Sequence, residues 1–223
     1  MSNKLALSLY PTLLDSYYWY KKMGAGPERH QEMIDKLNKV PQPPDQFPEA
    51  AKKGVQFESL VNDIAKGGTV KAIEDCYCTP DFVFTKSLVD KMAHRLKNAA
   101  NQQKYVQGFI DTPIGKVKMY GFIDFQYPDK HIDLKTCGVY KSGKYAINNQ
   151  HKTYPIIDQL NGAHKDSLYY ITDFRNTFIE SYPWKPEYQD DLVANIMDFH
   201  DNFLLPNKEL ITHPKIWGLA DKI

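Results

Sequence analysis

Apolar residues recur every three to four positions in six stretches of the sequence and alternate with polar ones in five others, and these two periods predict helices and strands respectively. The first stretch, residues 5–23, carries Leu9, Leu13, Leu14, Tyr17 and Tyr18 at helical spacing. Pro11 suits a first turn and Ser8 a cap before it, so one N-terminal helix is expected. A second helix is predicted over 28–37, closed by residues 41–48, whose four prolines exclude helix and central strand and mark an exposed connector. Residues 49–66 give the third, with Val55, Leu60, Val61 and Ile64 as its apolar face and Gly67-Gly68 as its stop. Residues 69–84 favour neither period. The fourth helix is predicted over 87–100, with Ser87 as cap and Asp90 three residues on.

Strand signals concentrate in the middle, at 105–110, 116–125 and 131–137, separated by Thr112-Pro113-Ile114-Gly115 and Pro128-Asp129-Lys130. Short turns between them predict an antiparallel meander. A helix over 149–160, strands over 167–174 and 178–182, and an amphipathic stretch over 187–205 follow. The order is that of an α/β fold without internal repeats. With 223 residues the chain is expected to form one domain: an N-terminal helical part and proline-rich connector (1–48), a core (49–174), and a C-terminal strand and helix (175–223).

Composition narrows the function classes. Twenty-eight basic against 27 acidic residues leave a formal charge of +1, so no global positive field draws in nucleic acid and any polyanion must meet a local patch. The early apolar run 5–10 is too short to span a membrane, and no export signal accompanies it. Three cysteines, Cys76, Cys78 and Cys137, are an odd number that argues for reduced thiols in a cytoplasmic protein, all three expected as small buried hydrophobes. Cys76-x-Cys78 has neither the spacing nor the second pair of a zinc or iron–sulfur site. His94, His131 and His151 form no ligand pair, and the aromatic residues between 10 and 20 are read as packing. The dispersed acids Glu187, Asp190, Asp191, Asp198 and Asp201 read as the wet face of a helix.

Chemistry gathers on the meander. Period-two alternation puts Tyr120, Phe122 and Asp124 on one face of the second strand, and His131, Asp133 and Lys135 on one face of the third. If those faces align, Asp124 and Asp133 meet beside a lysine, and paired carboxylates need a cation, for which all-oxygen ligands favour Mg²⁺ or Mn²⁺. Taken alone, Asp133-x-Lys135 reads more readily as a cross-strand ion pair on a solvated face than as a catalytic pair. Gly54 and Glu58 lie one helical turn apart, so glycine would let a third carboxylate approach the sheet. Gln150 and Tyr154 share a helical face in the same way. Lys91, His94, Arg95 and Lys97 make one helix basic, as a DNA groove or as an ordinary solvated face.

In order, Gly54-x-x-Phe57-Glu58, Gly121-Phe-Ile-Asp124, Ile132-Asp133-Leu-Lys135-Thr136 and Gln150-x-x-x-Tyr154 resemble the motifs of the PD-(D/E)XK nuclease superfamily, in its RecB-type and phage-exonuclease-like branch. The resemblance covers residues 54–154. It implies a restriction-endonuclease-like central mixed β-sheet flanked by helices. It further implies that Asp124 and Asp133 are the principal ligands of Mg²⁺ or Mn²⁺, with Glu58 and the backbone carbonyl of Leu134 completing the shell. Lys135 would position or deprotonate the attacking water, while Gln150 and Tyr154 would contact DNA phosphate or orient the lysine; Lys91, Arg95 and Lys97 are candidates for the DNA groove. The chain departs from the branch at Pro155, expected to kink the last helix or delay its start. It lacks the four-cysteine cluster of the iron–sulfur relatives and any nucleotide-binding glycine loop, so no iron–sulfur cofactor and no motor activity are expected.

The resulting expectation is a metal-dependent DNA nuclease, an exonuclease of phage or bacterial recombination or repair. The alternatives are a structure-specific endonuclease or nickase, and a silent DNA-binding module of the same fold. Near-neutral charge implies that tight processive binding would need a homo-oligomer or a recombination partner protein.

Overall fold

The computed structural model describes residues 5–41, 43, 47–99 and 101–218. In chain order it contains β1 (Leu5–Leu9), α1 (Pro11–Lys22), α2 (Pro27–Asn38), α3 (Glu49–Ala65), β2 (Cys76–Cys78), β3 (Val83–Thr85) and α4 (Lys86–Leu96). There follow β4 (Asn101–Thr112), β5 (Gly115–Gln126), β6 (Lys130–Thr136), α5 (Gln150–Leu160), β7 (Asp166–Thr172), β8 (Thr177–Tyr182) and α6 (Glu187–Phe199). Six strands form a mixed sheet in the order β1-β5-β6-β7-β8 with β4 paired to β5, and β2 and β3 make a separate hairpin. The fold is α/β, a central mixed sheet flanked by helices.

Each face of the sheet has its own core. One gathers Leu13 and Leu14 of α1, Leu37 of α2, Ile157 of α5 and Leu192 and Phe199 of α6 against Val117, Met119 and Ile123 of β5. The other gathers Phe57 and Val61 of α3 and Val89 and Met92 of α4 against Phe125, Ile132 and Leu134. Alternation explains β6: Ile132 and Leu134 enter the α3–α4 core, which leaves His131, Asp133 and Lys135 facing α5.

The pairing of β5 determines where a site can form. Along one edge β5 pairs antiparallel with β4 over its whole length. Along the other it pairs parallel with β1 up to Leu9↔Met119, and antiparallel with β6 only at Phe125↔Ile132 and Gln126↔His131. Between Met119 and Phe125 that edge has no strand beside it, and its backbone groups must find other partners.

Five local expectations are corrected. Residues 5–9 are a strand, not the start of a helix; Leu5, Leu7 and Leu9 alternate, pairing with β5 rewards that alternation, and Ser8 donates its backbone N–H to the Ile216 carbonyl instead of capping. α4 begins at Lys86 after Thr85, so Ser87 lies inside it; β3 ends there and the Lys86 N–H is taken by the Asp75 carbonyl at 2.8 Å. Val55 is exposed and Phe57 takes its place in the apolar face of α3. Only Cys137 of the cysteines is buried: the β2–β3 hairpin packs one face inward through Tyr77, which leaves Cys76 half-buried and Cys78 exposed. Pro155 lies inside α5, whose start at Gln150 is not delayed. Much of the proline-rich connector, residues 42 and 44–46, lies outside the described residues, as does the end of the predicted fourth helix at Ala100.

Candidate active site

The unpaired stretch of β5 is filled by side chains. Leu134 of β6 donates its N–H to Asp124 Oδ2 at 3.0 Å, so a carboxylate stands where a ladder carbonyl would. The Phe122 carbonyl accepts the Tyr154 hydroxyl at 2.9 Å. Gly121 makes that possible, since a Cβ there would sit 2.6 Å from the Tyr154 oxygen. Asp124 also breaks the alternation of its strand: Ile123 faces the α5 core and Phe125, two residues later, the α3–α4 core. Directly opposite, Gln103 has φ +49°, a left-handed backbone that a non-glycine residue adopts at a cost. Asp124 therefore does not simply share a face with Tyr120 and Phe122; it turns toward the gap.

Around it the other candidates gather. Gly54 brings α3 close to the end of β6, where a Cβ would lie 2.7 Å from Thr136 Oγ1. Glu58, one turn on, is thereby held at the gap: Gln103 Nε2 donates to Glu58 Oε1 at 3.2 Å and to Asp124 Oδ1 at 3.1 Å. Asp133 pairs with Lys135. Gln150, the first residue of α5, donates to Asp133 Oδ1 at 3.2 Å and accepts from Lys135 Nζ at 2.8 Å. One amide thus fixes both ends of the aspartate–lysine pair. Tyr154 is buried, and burial pushes its hydroxyl pKa upward.

The electrostatics are those of crowded carboxylates. Burial, then the charges of Asp133 and Glu58, hold the Asp124 carboxyl well above the ordinary carboxylate range. Glu58 is raised by burial and by Asp133. Burial works against the Lys135 ammonium, but Asp133, with Asp124 and Asp15 behind it, outweighs that and raises its pKa. Asp15 of α1 is a fourth carboxylate near the cluster, raised chiefly by burial. It accepts the backbone N–H and the side-chain amide of Asn149, at 2.7 and 2.8 Å, at the N-terminus of α5. Sequence reasoning missed Asp15 and Gln103. Neither lies in a motif, and the contacts that bring them here span 134 and 21 positions of chain.

The residues proposed for a DNA groove stand apart. Lys91, Arg95 and Lys97 are exposed at α4, and Arg95 lies over the Tyr170 ring at 5.6 Å. Among the described residues none of the three bonds to the carboxylate cluster.

Asp124, Asp133 and Glu58 offer the all-oxygen donor set of a hard divalent cation, and the carboxyls of Asp124 and Glu58 are raised by burial and by the neighbouring acids. In kind they fit Mg²⁺ or Mn²⁺. As they stand, with Gln103 bridging Glu58 and Asp124 and Lys135 on Asp133, no three acidic, histidine or cysteine side chains among the described residues enclose a cation. No helix among the described residues is long and apolar enough to cross a membrane.

No family model and no curated protein matches the chain. Several solved structures share its fold, among them two crystal structures. A crystal structure of a protein named "putative exonuclease" from Eubacterium rectale is 12% identical with a TM-score of 0.52, over 99% of this chain and 89% of the other. The crystal structure of SSO0001 gives the same identity and score over 87% and 76%.

Proposed function

We propose that the chain is a metal-dependent DNA nuclease acting as an exonuclease, with phosphodiester hydrolysis at the gap between β5 and β6. The observation that carries this reading is the meeting of Asp124, Asp133 and Glu58 with a single lysine where the sheet has no strand. Crowding carboxylates away from water costs folding stability and is understandable where a cation and a phosphate have to be held. Asp124, Asp133 and Glu58, with the carbonyl of Leu134, are the residues that would hold the cation. When bound, a divalent ion supplies a more acidic water and offsets charge on the phosphate.

The chain's own residues supply the rest. Lys135, kept protonated by Asp133 and oriented by Gln150, presents a fixed positive charge to a phosphate oxygen or holds the attacking water by hydrogen bond. Tyr154, anchored on the Phe122 carbonyl, braces α5 against β5 and so keeps Gln150 in register with Lys135. The name of the Eubacterium rectale protein supports the exonuclease mode, as an analogy of fold. Cleavage of linear and closed circular DNA tests it. Loss of linear DNA alone is expected; nicking of the circle would replace the exonuclease reading by the endonuclease one, and binding without cleavage by a silent module.

A further inference from the structure

The face of β4 and β5 that turns away from α5 carries a row of aromatic rings, with Tyr105 and Phe122 exposed and Tyr120 and Tyr10 half-buried. Tyr105 and Phe122 are directly paired across the strands, 45% and 55% exposed, with ring centroids 5.4 Å apart. Tyr105 also meets Tyr120 at 6.3 Å, and Tyr120 meets Tyr10, at the end of β1, at 5.8 Å. These four rings form a continuous stripe. Its inner end lies at the candidate active site: Phe122 precedes Asp124 by two residues, and Gln103, which bonds Glu58 and Asp124, precedes Tyr105 by two.

Such a stripe is not what a sheet surface usually shows, because contiguous exposed apolar area is costly unless a partner covers it. The opposite face of the same strands needs no such explanation, since Val117, Met119 and Ile123 are buried under helices. On the same face of β5, Lys118 lies opposite Phe109 and Lys116 opposite Asp111, with which it pairs; Lys104, opposite Ile123, belongs to the other face. The stripe runs into the carboxylate cluster, so the occupant that fits both is a nucleic-acid strand whose phosphodiester reaches that cluster, and not a second copy of the chain.

We infer that the Tyr10–Tyr120–Tyr105–Phe122 stripe is a stacking platform for the unpaired bases of a single-stranded nucleic acid, which leads the strand to the carboxylate cluster. The inference rests on the nuclease reading and deepens it, naming the substrate as a single-stranded end. Aromatic faces accept any base, so the platform selects strandedness and not sequence.

Binding in the presence of chelator tests it without cleavage. A short oligothymidylate and an abasic strand of equal length are titrated against the wild-type protein, the double variant Tyr105→Ala/Phe122→Ala, and the ring-retaining variant Tyr105→Phe. Wild type is expected to bind the thymidylate about tenfold or more tightly than the abasic strand. The double variant should lose that preference while its abasic binding is unchanged, and Tyr105→Phe should keep it. Equal wild-type binding of the two strands, or a double variant that still prefers bases, would overturn the platform. So would a wild-type dimer in light scattering that the double variant dissolves, which would assign the stripe to self-association. Metal-dependent cleavage is scored separately: a platform that fails beside intact cleavage leaves the nuclease reading standing, and base-dependent binding without cleavage overturns the nuclease reading alone.

Discussion

Asp124 has the least comfortable environment of the cluster, and its charge can be removed with little change of shape. Its folded pKa lies above the unfolded value of 3.8, through burial first and then Asp133 and Glu58. A carboxyl raised in this way favours the folded state below its unfolded pKa and costs stability as pH rises through the folded value. Asp124→Asn is therefore expected to melt at a higher temperature than wild type in chelator at neutral pH, with the gain disappearing near pH 4, while cleavage is lost. A lower melting temperature at neutral pH would show that the carboxylate contributes more as the double acceptor of Leu134 and Gln103 than it costs. Gly121→Ala places a Cβ 2.6 Å from the Tyr154 oxygen and pushes the ring off the Phe122 carbonyl. A destabilisation of about 1–3 kcal/mol is expected, read from denaturant midpoints. Glu58, Asp124, Asp133 and Lys135 were legible in the sequence as a cluster because strand alternation and helical spacing restrict where each can point. Gln103 and Asp15 were not, because a polar residue on an edge strand or half-buried in an N-terminal helix has no periodic signature.

Among the elements, α5 carries the most constraint. It supplies Gln150 and Tyr154 to the site, and His151 between them is packed in aromatic rings, stacked on Tyr182 at 4.1 Å and edge-on to Tyr169 and Tyr188. Burial lowers the His151 pKa from 6.5 to about 3. The unfolded chain then takes up a proton below pH 6.5 that the folded one refuses, so stability falls as pH drops from there toward 3, by up to about 1.4 kcal/mol per pH unit. His151→Phe is expected to flatten that slope in denaturation curves taken between pH 6.5 and 4; an unchanged slope would place the acid sensitivity elsewhere. Helix and strand periods gave α2, α3, α5, β5 and β6 almost as observed, and only half of β4, which runs from Asn101 to Thr112. They failed at β1, where a strand and a helix run together across Tyr10-Pro11 and only pairing with β5 separates them. They were silent on β2 and β3, which are three residues each and too short to show a period.

At the scale of the whole molecule, β5 takes three strand partners and is left unpartnered between two of them. Sequence predicted the meander of β4, β5 and β6, and could not predict that β1 would join β5 in parallel from more than a hundred residues away. That long-range pairing frames the gap in which the carboxylates sit. With a net charge of +1, the molecule relies on local groups, not a broad field, to hold a polyanion. If this gap is a nuclease centre, cleavage depends on both a divalent metal and Lys135. That dependence is tested most directly by incubating wild type and Lys135→Ala with linear DNA in Mg²⁺, in Mn²⁺ and in chelator. Wild type is expected to cleave in either metal and not in chelator, and the variant, whose removed charge touches Asp133 and Gln150 alike, to lose roughly 10²-fold or more. Cleavage by Lys135→Ala at the wild-type rate, or wild-type cleavage that persists in chelator, would contradict a nuclease centre at this gap.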